Sequence, residues 1–209
     1  NMVSNTEILN RLLNDSNVLN IYMFGSMVYG SNNEKSDNDL IVVTNNKVVS
    51  NDINIHYYTI IEFQTLLNNH EIQMLECYFL PRIFKVKEEY KFNLESIDKV
   101  KLRINISTIT SNSYQKCKKK LTVMGDYDKY IAIKSLFHSL RILDFGIQIA
   151  QHGKIDNYSS MNYVMFDLLK LSAEHDYIDL WEIIETKYKK MFNNKSSIFK
   201  QLCPKTIEN

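Results

Sequence analysis

The stretch that decides the fold reads FGSMVYGS over residues 24–31 and SDNDLIVV over residues 36–43. It predicts a strand, a turn and a second strand. Gly25 lets the backbone pass close to a ligand, because glycine has no side chain. Ser26, at a predicted helix start, offers a hydroxyl and backbone amides to a phosphate group. The turn therefore predicts an anion site for a phosphate group that includes Gly25 and Ser26.

Two acidic residues open the second strand. Asp37 and Asp39 are two positions apart, so both carboxylates face one side of the strand while Leu40 and Val42 anchor it. Two carboxylates held this close repel each other unless a cation neutralises them. Mg²⁺, with its oxygen ligands and a bound triphosphate, fits this requirement. Asp-x-Asp also occurs in turns and calcium loops, and only its combination with the glycine turn and the flanking strands favours a magnesium site.

This combination resembles the hG[GS]…[DE]h[DE]h motif of the DNA polymerase β-like nucleotidyltransferases, and departs from it at the polar Asn38. Within that superfamily it is similar to a subgroup of predicted nucleotidyltransferases associated with RNA repair, whose domain opens with GSxxYGSxxxxSDxDL. The similarity continues more weakly through EFQTLL at 62–67, MLE at 74–76 and the K…H..R.L…G pattern at 134–146.

The resemblance implies the fold, the cofactor and the substrate. It implies a nucleoside triphosphate held with the help of Ser36, and two Mg²⁺ ions, with Mn²⁺ as the alternative metal. It also implies a third metal-binding carboxylate on the next strand.

Only one acid is available for that third position. Residues 52–57 read DINIHY, and strand alternation places Asp52, Asn54 and His56 on one face. We predict that Asp52 is the third catalytic and metal-binding acid. If Asp52 lies too near the strand start, Asn54 takes its place, and the chain is a weakened or binding-only homologue.

A basic stripe is predicted on a helix of the second half. Lys134, His138 and Arg141 are spaced by four and three residues, whereas Leu136 and Leu140 belong to its apolar positions. With the family resemblance, the stripe predicts nucleotide-phosphate contacts. The alternative is structural, because long cationic side chains often lie along a helix edge and a histidine among apolar residues often belongs to the core.

A second basic cluster predicts an RNA contact. Lys116, Lys119 and Lys120 are its candidate residues, and Lys118 lies among them. A run of lysines on a helix is also typical of a solvated face, so this alternative stays open.

The overall composition predicts an ordinary globular protein. Of its 209 residues, 44% are hydrophobic and 23% are charged, and the net charge of +1 provides no general field that would attract nucleic acid or membranes. The three cysteines show no CxxC spacing, which argues against a disulfide framework or a zinc site. No signal-peptide pattern and no membrane-length apolar run is present, so we expect an intracellular, cytoplasmic location without membrane contact.

The predicted fold class is α+β, with a small mixed sheet flanked by helices and followed by a C-terminal helical bundle. The predicted domains are 1–92, the nucleotidyltransferase domain, and 93–209, the helical domain. The predicted strands cover 18–24, 40–44 and 53–58. The predicted helices include 6–14, 97–124, 128–151, 159–172 and 176–192. The Asn-rich tail after Asn193 is expected to fray.

The predicted function is metal-dependent transfer of a nucleoside monophosphate from a nucleoside triphosphate to a hydroxyl, with an RNA end as the acceptor. The alternatives are transfer to a protein or small-molecule hydroxyl, and a weakened homologue that only binds nucleotide or RNA.

Overall fold

The computed structural model describes residues 5–30 and 39–206, without the side chains of Asn5, Ser26 and Met27. The chain divides after Glu95 into two compact units. The predicted α+β fold class is confirmed: a mixed sheet with flanking helices is followed by a helical part. Among the described residues, no helix is long and apolar enough to cross a membrane.

A four-stranded mixed sheet forms the centre of the first unit. Its order is β3-β2-β1-β4, with β1 antiparallel to both β2 and β4, and β2 parallel to β3. The elements of this unit are α1 (Asn5–Leu13), β1 (Val18–Phe24), α2 (Ser26–Tyr29), β2 (Asp39–Thr44), β3 (Ile55–Thr59), α3 (Ile60–Asn68), α4 (Ile72–Tyr78), a 3₁₀ turn (Arg82–Phe84) and β4 (Lys85–Glu88).

Each face of this sheet is covered by different helices, because successive strand residues point to opposite faces. On one face, Leu40 and Ile55 belong to a buried cluster that includes Leu12 of α1. On the other face, the Phe63 ring of α3 stacks on Tyr22 of β1, with ring centroids 5.9 Å apart. The alternation of β2 therefore assigns its odd-numbered residues, which begin with Asp39, to the α3 face.

Strand β4 has no counterpart in the sequence prediction. Its four residues read KVKE, and this short charged segment lacks the apolar run by which strands are identified. It forms by pairing with β1 at the edge of the sheet, where Lys87 also donates to the Val18 carbonyl oxygen at 2.7 Å. Charged side chains are common on edge strands, since they discourage pairing with other chains.

Four long helices make up the second unit. They are α5 (Lys99–Thr122), α6 (Lys129–His152), α7 (Asn162–Glu174) and α8 (Tyr177–Leu202). Asp98 caps α5 by accepting from the Val100 and Lys101 amides at 2.9 and 3.1 Å, and Asp128 caps α6 by accepting from the Ile131 amide at 3.0 Å. Apolar residues of all four helices share one buried core.

The prediction that the tail frays after Asn193 is wrong, because α8 continues to Leu202. Phe199 is fully buried, and a Cβ built on Gly146 of α6 would lie 2.9 Å from the Phe199 ring, so the glycine makes room for this ring. Lys195 also donates to Asp144 at 3.0 Å. Burial and an ion pair thus stabilise a helical segment whose Asn and Ser residues have weak helix propensity.

Candidate active site

Gly25 brings the end of β1 against the start of β2. Its φ of +88° lies in the left-handed region that side chains disfavour, and a Cβ at this position would lie 3.2 Å from Asp39 Oδ2. Phe24, the last residue of β1, pairs with Asp39. The half-buried carboxylate of Asp39 therefore lies directly beside the glycine backbone.

Helix α2 is fixed in place by a buried hydrogen bond. The Val28 and Tyr29 amides donate to the Gly25 carbonyl at 3.0 and 3.3 Å, which closes the helical turn. The Tyr29 hydroxyl then donates to Glu76 Oε1 of α4 at 2.7 Å, and both residues are 2% exposed. Nothing in the sequence pattern predicts this contact, which joins residues 47 positions apart.

Tyr29→Phe should lower the free energy of unfolding by about 1–3 kcal/mol, because the buried Glu76 carboxylate loses a donor that water cannot replace. Urea unfolding followed by circular dichroism measures this. Tyr163→Phe, at a 59% exposed position, is the matched control. Equal stability of the two variants would show that the buried bond does not hold α2.

The third-acid candidates lie just before β3. The sequence predicts a strand from residue 53, but β3 begins at Ile55, and Asp52 and Asn54 both precede it. Asp52 Oδ1 accepts from the Asn54 amide at 2.9 Å, and the Asn54 carbonyl accepts from the Leu40 amide of β2 at 2.9 Å. His56 lies within β3 and is exposed.

The three residues of the basic stripe lie on α6 with different exposures. Lys134 is exposed, His138 is half-buried, and Arg141 is 6% exposed with its guanidinium 5.4 Å from the Phe137 ring centroid. Arg141 Nη2 lies 2.8 Å from His138 Nδ1. A guanidinium only donates, so Nδ1 accepts and the imidazole is neutral. The stripe thus forms one contact network, and its role toward phosphate stays a prediction.

Burial, together with the smaller effects of the nearby charges of Arg141, Lys134 and Lys116, lowers the pKa of His138 from 6.5 to about 3. Between pH 6.5 and about 3, the unfolded chain therefore binds a proton at His138 that the folded protein does not bind. The free energy of unfolding is unaffected by this group above pH 6.5, and it decreases as the pH falls from 6.5 toward about 3. The Lys116 contribution places this lysine of α5 near the stripe.

His138→Gln should weaken the acid dependence of stability. Over the interval between the two pKa values, the wild type should lose up to about 1.4 kcal/mol more per pH unit than the variant, which has no imidazole to protonate. Chemical unfolding at several pH values between 6.5 and 4 measures the difference. His152→Gln, at an exposed position, should retain the wild-type slope; the same slope in the His138 variant would contradict the prediction.

The lysines of the α5 cluster differ in their exposure and in their ion pairs. Lys116, Lys118 and Lys119 are exposed, whereas Lys120 is half-buried and pairs with Asp126 at 2.5 Å. This ion pair holds the Lys120 side chain against the turn that follows α5. Lys116 and Lys119 present their charge to solvent, and RNA binding by the cluster stays a prediction.

Several predicted site residues lie outside what the structure describes. Ser36 and Asp37 precede the described start of β2, and Ser26 is described only in its backbone, as the first residue of α2. Within the described ranges, no three His, Cys, Asp or Glu side chains are grouped so that they could hold a metal ion. The roles of Ser26, Ser36 and Asp37 therefore stay predictions.

Comparison with known families addresses the first unit. Residues 6–103 match the nucleotidyltransferase domain family. This matched segment contains Gly25 and Asp39, and the match supports the DNA polymerase β-like superfamily and nucleotidyl transfer in general. No curated protein and no solved structure matches the chain significantly. The RNA-repair subgroup stays a prediction.

Nucleotidyltransferase domains generally use divalent metals, and the donors at the start of β2 suit such an ion. Asp39 supplies a carboxylate, and Asn54, whose carbonyl accepts from the Leu40 amide, carries a side-chain amide oxygen. Oxygen donors of these two kinds are the ligands that Mg²⁺ and Mn²⁺ prefer.

Proposed function

We propose that this protein transfers a nucleoside monophosphate from a nucleoside triphosphate to a hydroxyl acceptor, an RNA end, and that the reaction requires a divalent metal, Mg²⁺ or Mn²⁺. One observation carries the proposal: within the segment that matches the nucleotidyltransferase domain, the Asp39 carboxylate lies at the start of a strand, beside a glycine turn where an added Cβ would lie only 3.2 Å from Asp39 Oδ2. This arrangement is suited to hold a metal-bound triphosphate near the backbone.

Each predicted residue then has a defined task. Asp37 and Asp39 would hold the metal, while Gly25, Ser26 and Ser36 would contact the outer phosphates. When bound, the divalent cation would neutralise phosphate charge and promote ionisation of the attacking hydroxyl.

The basic stripe of Lys134, His138 and Arg141 would offset the charge that builds up on the leaving pyrophosphate. The acceptor hydroxyl gives its proton to solvent and its oxygen attacks the α-phosphorus in line, while the bond between the α-phosphorus and its bridging oxygen breaks and pyrophosphate leaves with that oxygen. Which of Asp52 and Asn54 lies beside Asp39 decides how much negative charge the metal site carries.

RNA as the acceptor is supported by the exposed Lys116 and Lys119, whose charges are available to a phosphate backbone. Lys120 contributes less, because it pairs with Asp126. A protein or small-molecule hydroxyl is the competing acceptor, and a panel of acceptors distinguishes them.

A second candidate function is favoured by the position of Asn54. If this residue replaces the third acid, the chain is a weakened homologue that binds nucleotide or RNA without efficient turnover. Such a protein would still bind a triphosphate in the presence of metal, but would release little pyrophosphate.

The test uses the full chain with each α-labelled nucleoside triphosphate, Mg²⁺ or Mn²⁺, and RNA oligonucleotides that end in a 3′-hydroxyl or a 3′-phosphate. Label transfer to the hydroxyl-ended RNA together with pyrophosphate release is the expected result. Metal-dependent nucleotide binding without any product would favour the binding-only homologue. Absence of both binding and product would contradict the two functions together.

A further inference from the structure

The pairing of β2 with β3 determines which residue is the neighbour of Asp39. The two strands are parallel, with Leu40 opposite Ile55, and the Leu40 amide donates to the Asn54 carbonyl at 2.9 Å. Asp39 and Asn54 each lie one residue before this pair. They are therefore neighbours on adjacent strands, whereas Asp52 lies two residues farther back along the chain.

Asp39 and Asn54 are also placed on one face of the sheet. Leu40 and Ile55 are buried in the same apolar cluster as Leu12 of α1. Because successive strand residues alternate between faces, Asp39 of β2 is directed to the opposite face, and the ladder hydrogen bond from the Leu40 amide to the Asn54 carbonyl extends the same alternation to Asn54, just before β3. That is the α3 face, on which Tyr58 of β3 contacts Phe63 at a centroid distance of 6.4 Å.

Asp52 has a different role in this structure. Its carboxylate accepts from the Asn54 amide at 2.9 Å, while its own amide donates to Ser50 Oγ at 3.2 Å, so Asp52 forms the turn that starts β3. Burial chiefly raises the pKa of Tyr57, Arg11 lowers it, and the Asp52 carboxylate adds a further increase. Asp52 therefore lies near Tyr57, whose ring packs on the α1 face of the sheet.

We propose that Asn54, and not Asp52, is the third side chain of the metal site, which then consists of two carboxylates and one neutral amide. This inference rests on the proposed function, since it takes Asp37 and Asp39 as metal ligands. An amide oxygen is a good ligand for a divalent cation, but it brings no negative charge. The site consequently binds a first cation through its two carboxylates and a second cation only weakly.

Asn54→Asp is the direct test, with Asp52→Asn as the matched change of a nearby residue. Binding of Mn²⁺ alone, without nucleotide, is followed by the electron paramagnetic resonance signal of free Mn²⁺ at constant ionic strength. We expect Asn54→Asp to raise the Mn²⁺ affinity on the order of 10-fold, since each added ligand charge strengthens the site. Asp52→Asn should leave the affinity within about two-fold, because Asn can also form the turn.

The reverse pattern would overturn the proposal: Asp52→Asn weakens Mn²⁺ binding on the order of 10-fold and Asn54→Asp changes nothing. Unchanged affinity in both variants would also overturn it. If Asn54→Asp does not fold, Asn54→Ala replaces it, and a lowered Mn²⁺ affinity is then the supporting result. Thermal unfolding with and without Mn²⁺ verifies that each variant is folded.

Failure of this inference is distinguishable from failure of the proposed function. If Mn²⁺ affinity responds to Asn54 but no labelled product forms with any nucleotide, the metal site is supported and nucleotidyl transfer is contradicted. If product forms and Asp52→Asn abolishes it together with Mn²⁺ binding, nucleotidyl transfer is supported and the role of Asn54 is contradicted.

Discussion

Asp39→Asn should reduce kcat/KM for nucleotidyl transfer by at least about 100-fold, because a metal ion at a reacting phosphate contributes several kcal/mol of charge stabilisation. The change replaces one carboxylate oxygen with an amide nitrogen and keeps the shape of the side chain, so the contact with the Gly25 backbone is preserved. Label transfer and pyrophosphate release measure the loss, and circular dichroism verifies the fold.

The matched control is Asp15→Asn, in the turn before β1. Asp15 Oδ1 accepts from the Asn17 amide at 2.9 Å, a contact that an asparagine oxygen can also make, so this variant should retain wild-type activity. Wild-type turnover in the Asp39 variant would remove Asp39 from the metal site. Equal losses in both variants would indicate a general effect of altered charge rather than lost metal coordination.

The sequence predicts much of the fold because its apolar periodicity is strong. Strand β1 spans the predicted residues 18–24, and α5 and α6 lie within two residues of their predicted bounds. Buried helices and strands carry their own signal, because the faces that enter the core must be apolar. The glycine turn and the acid pair were also readable as a motif, and Gly25 does lie against Asp39.

What the sequence could not predict depends on contacts between distant segments. The third-acid position follows from the register between β2 and β3, which pairs Leu40 with Ile55 and which the apolar pattern of either strand alone does not show. Strand β4 exists because β1 offers it a partner edge. Likewise, periodicity places Arg141 on a helix face but cannot show that its guanidinium lies over the Phe137 ring.

Gly25→Ala should lower kcat by about 10- to 100-fold, since small displacements of a catalytic group have effects of this size. An added Cβ would lie 3.2 Å from Asp39 Oδ2, so either the carboxylate or the backbone of the turn must shift. The φ of +88° adds a second penalty of about 1–2 kcal/mol, because an L side chain is strained in the left-handed region.

Gly125→Ala separates these two effects. Gly125 has a nearly equal φ of +85°, but a Cβ there would meet nothing within 4 Å, so this variant should lose similar stability without any loss of activity. Urea unfolding and label transfer are compared for both variants. Backbone strain alone would lower stability equally in the two and leave turnover intact. A loss of turnover in Gly25→Ala alone would show that the position of the Asp39 carboxylate controls the reaction. Unimpaired turnover in this variant would show that the close approach of Gly25 to Asp39 is not needed for catalysis.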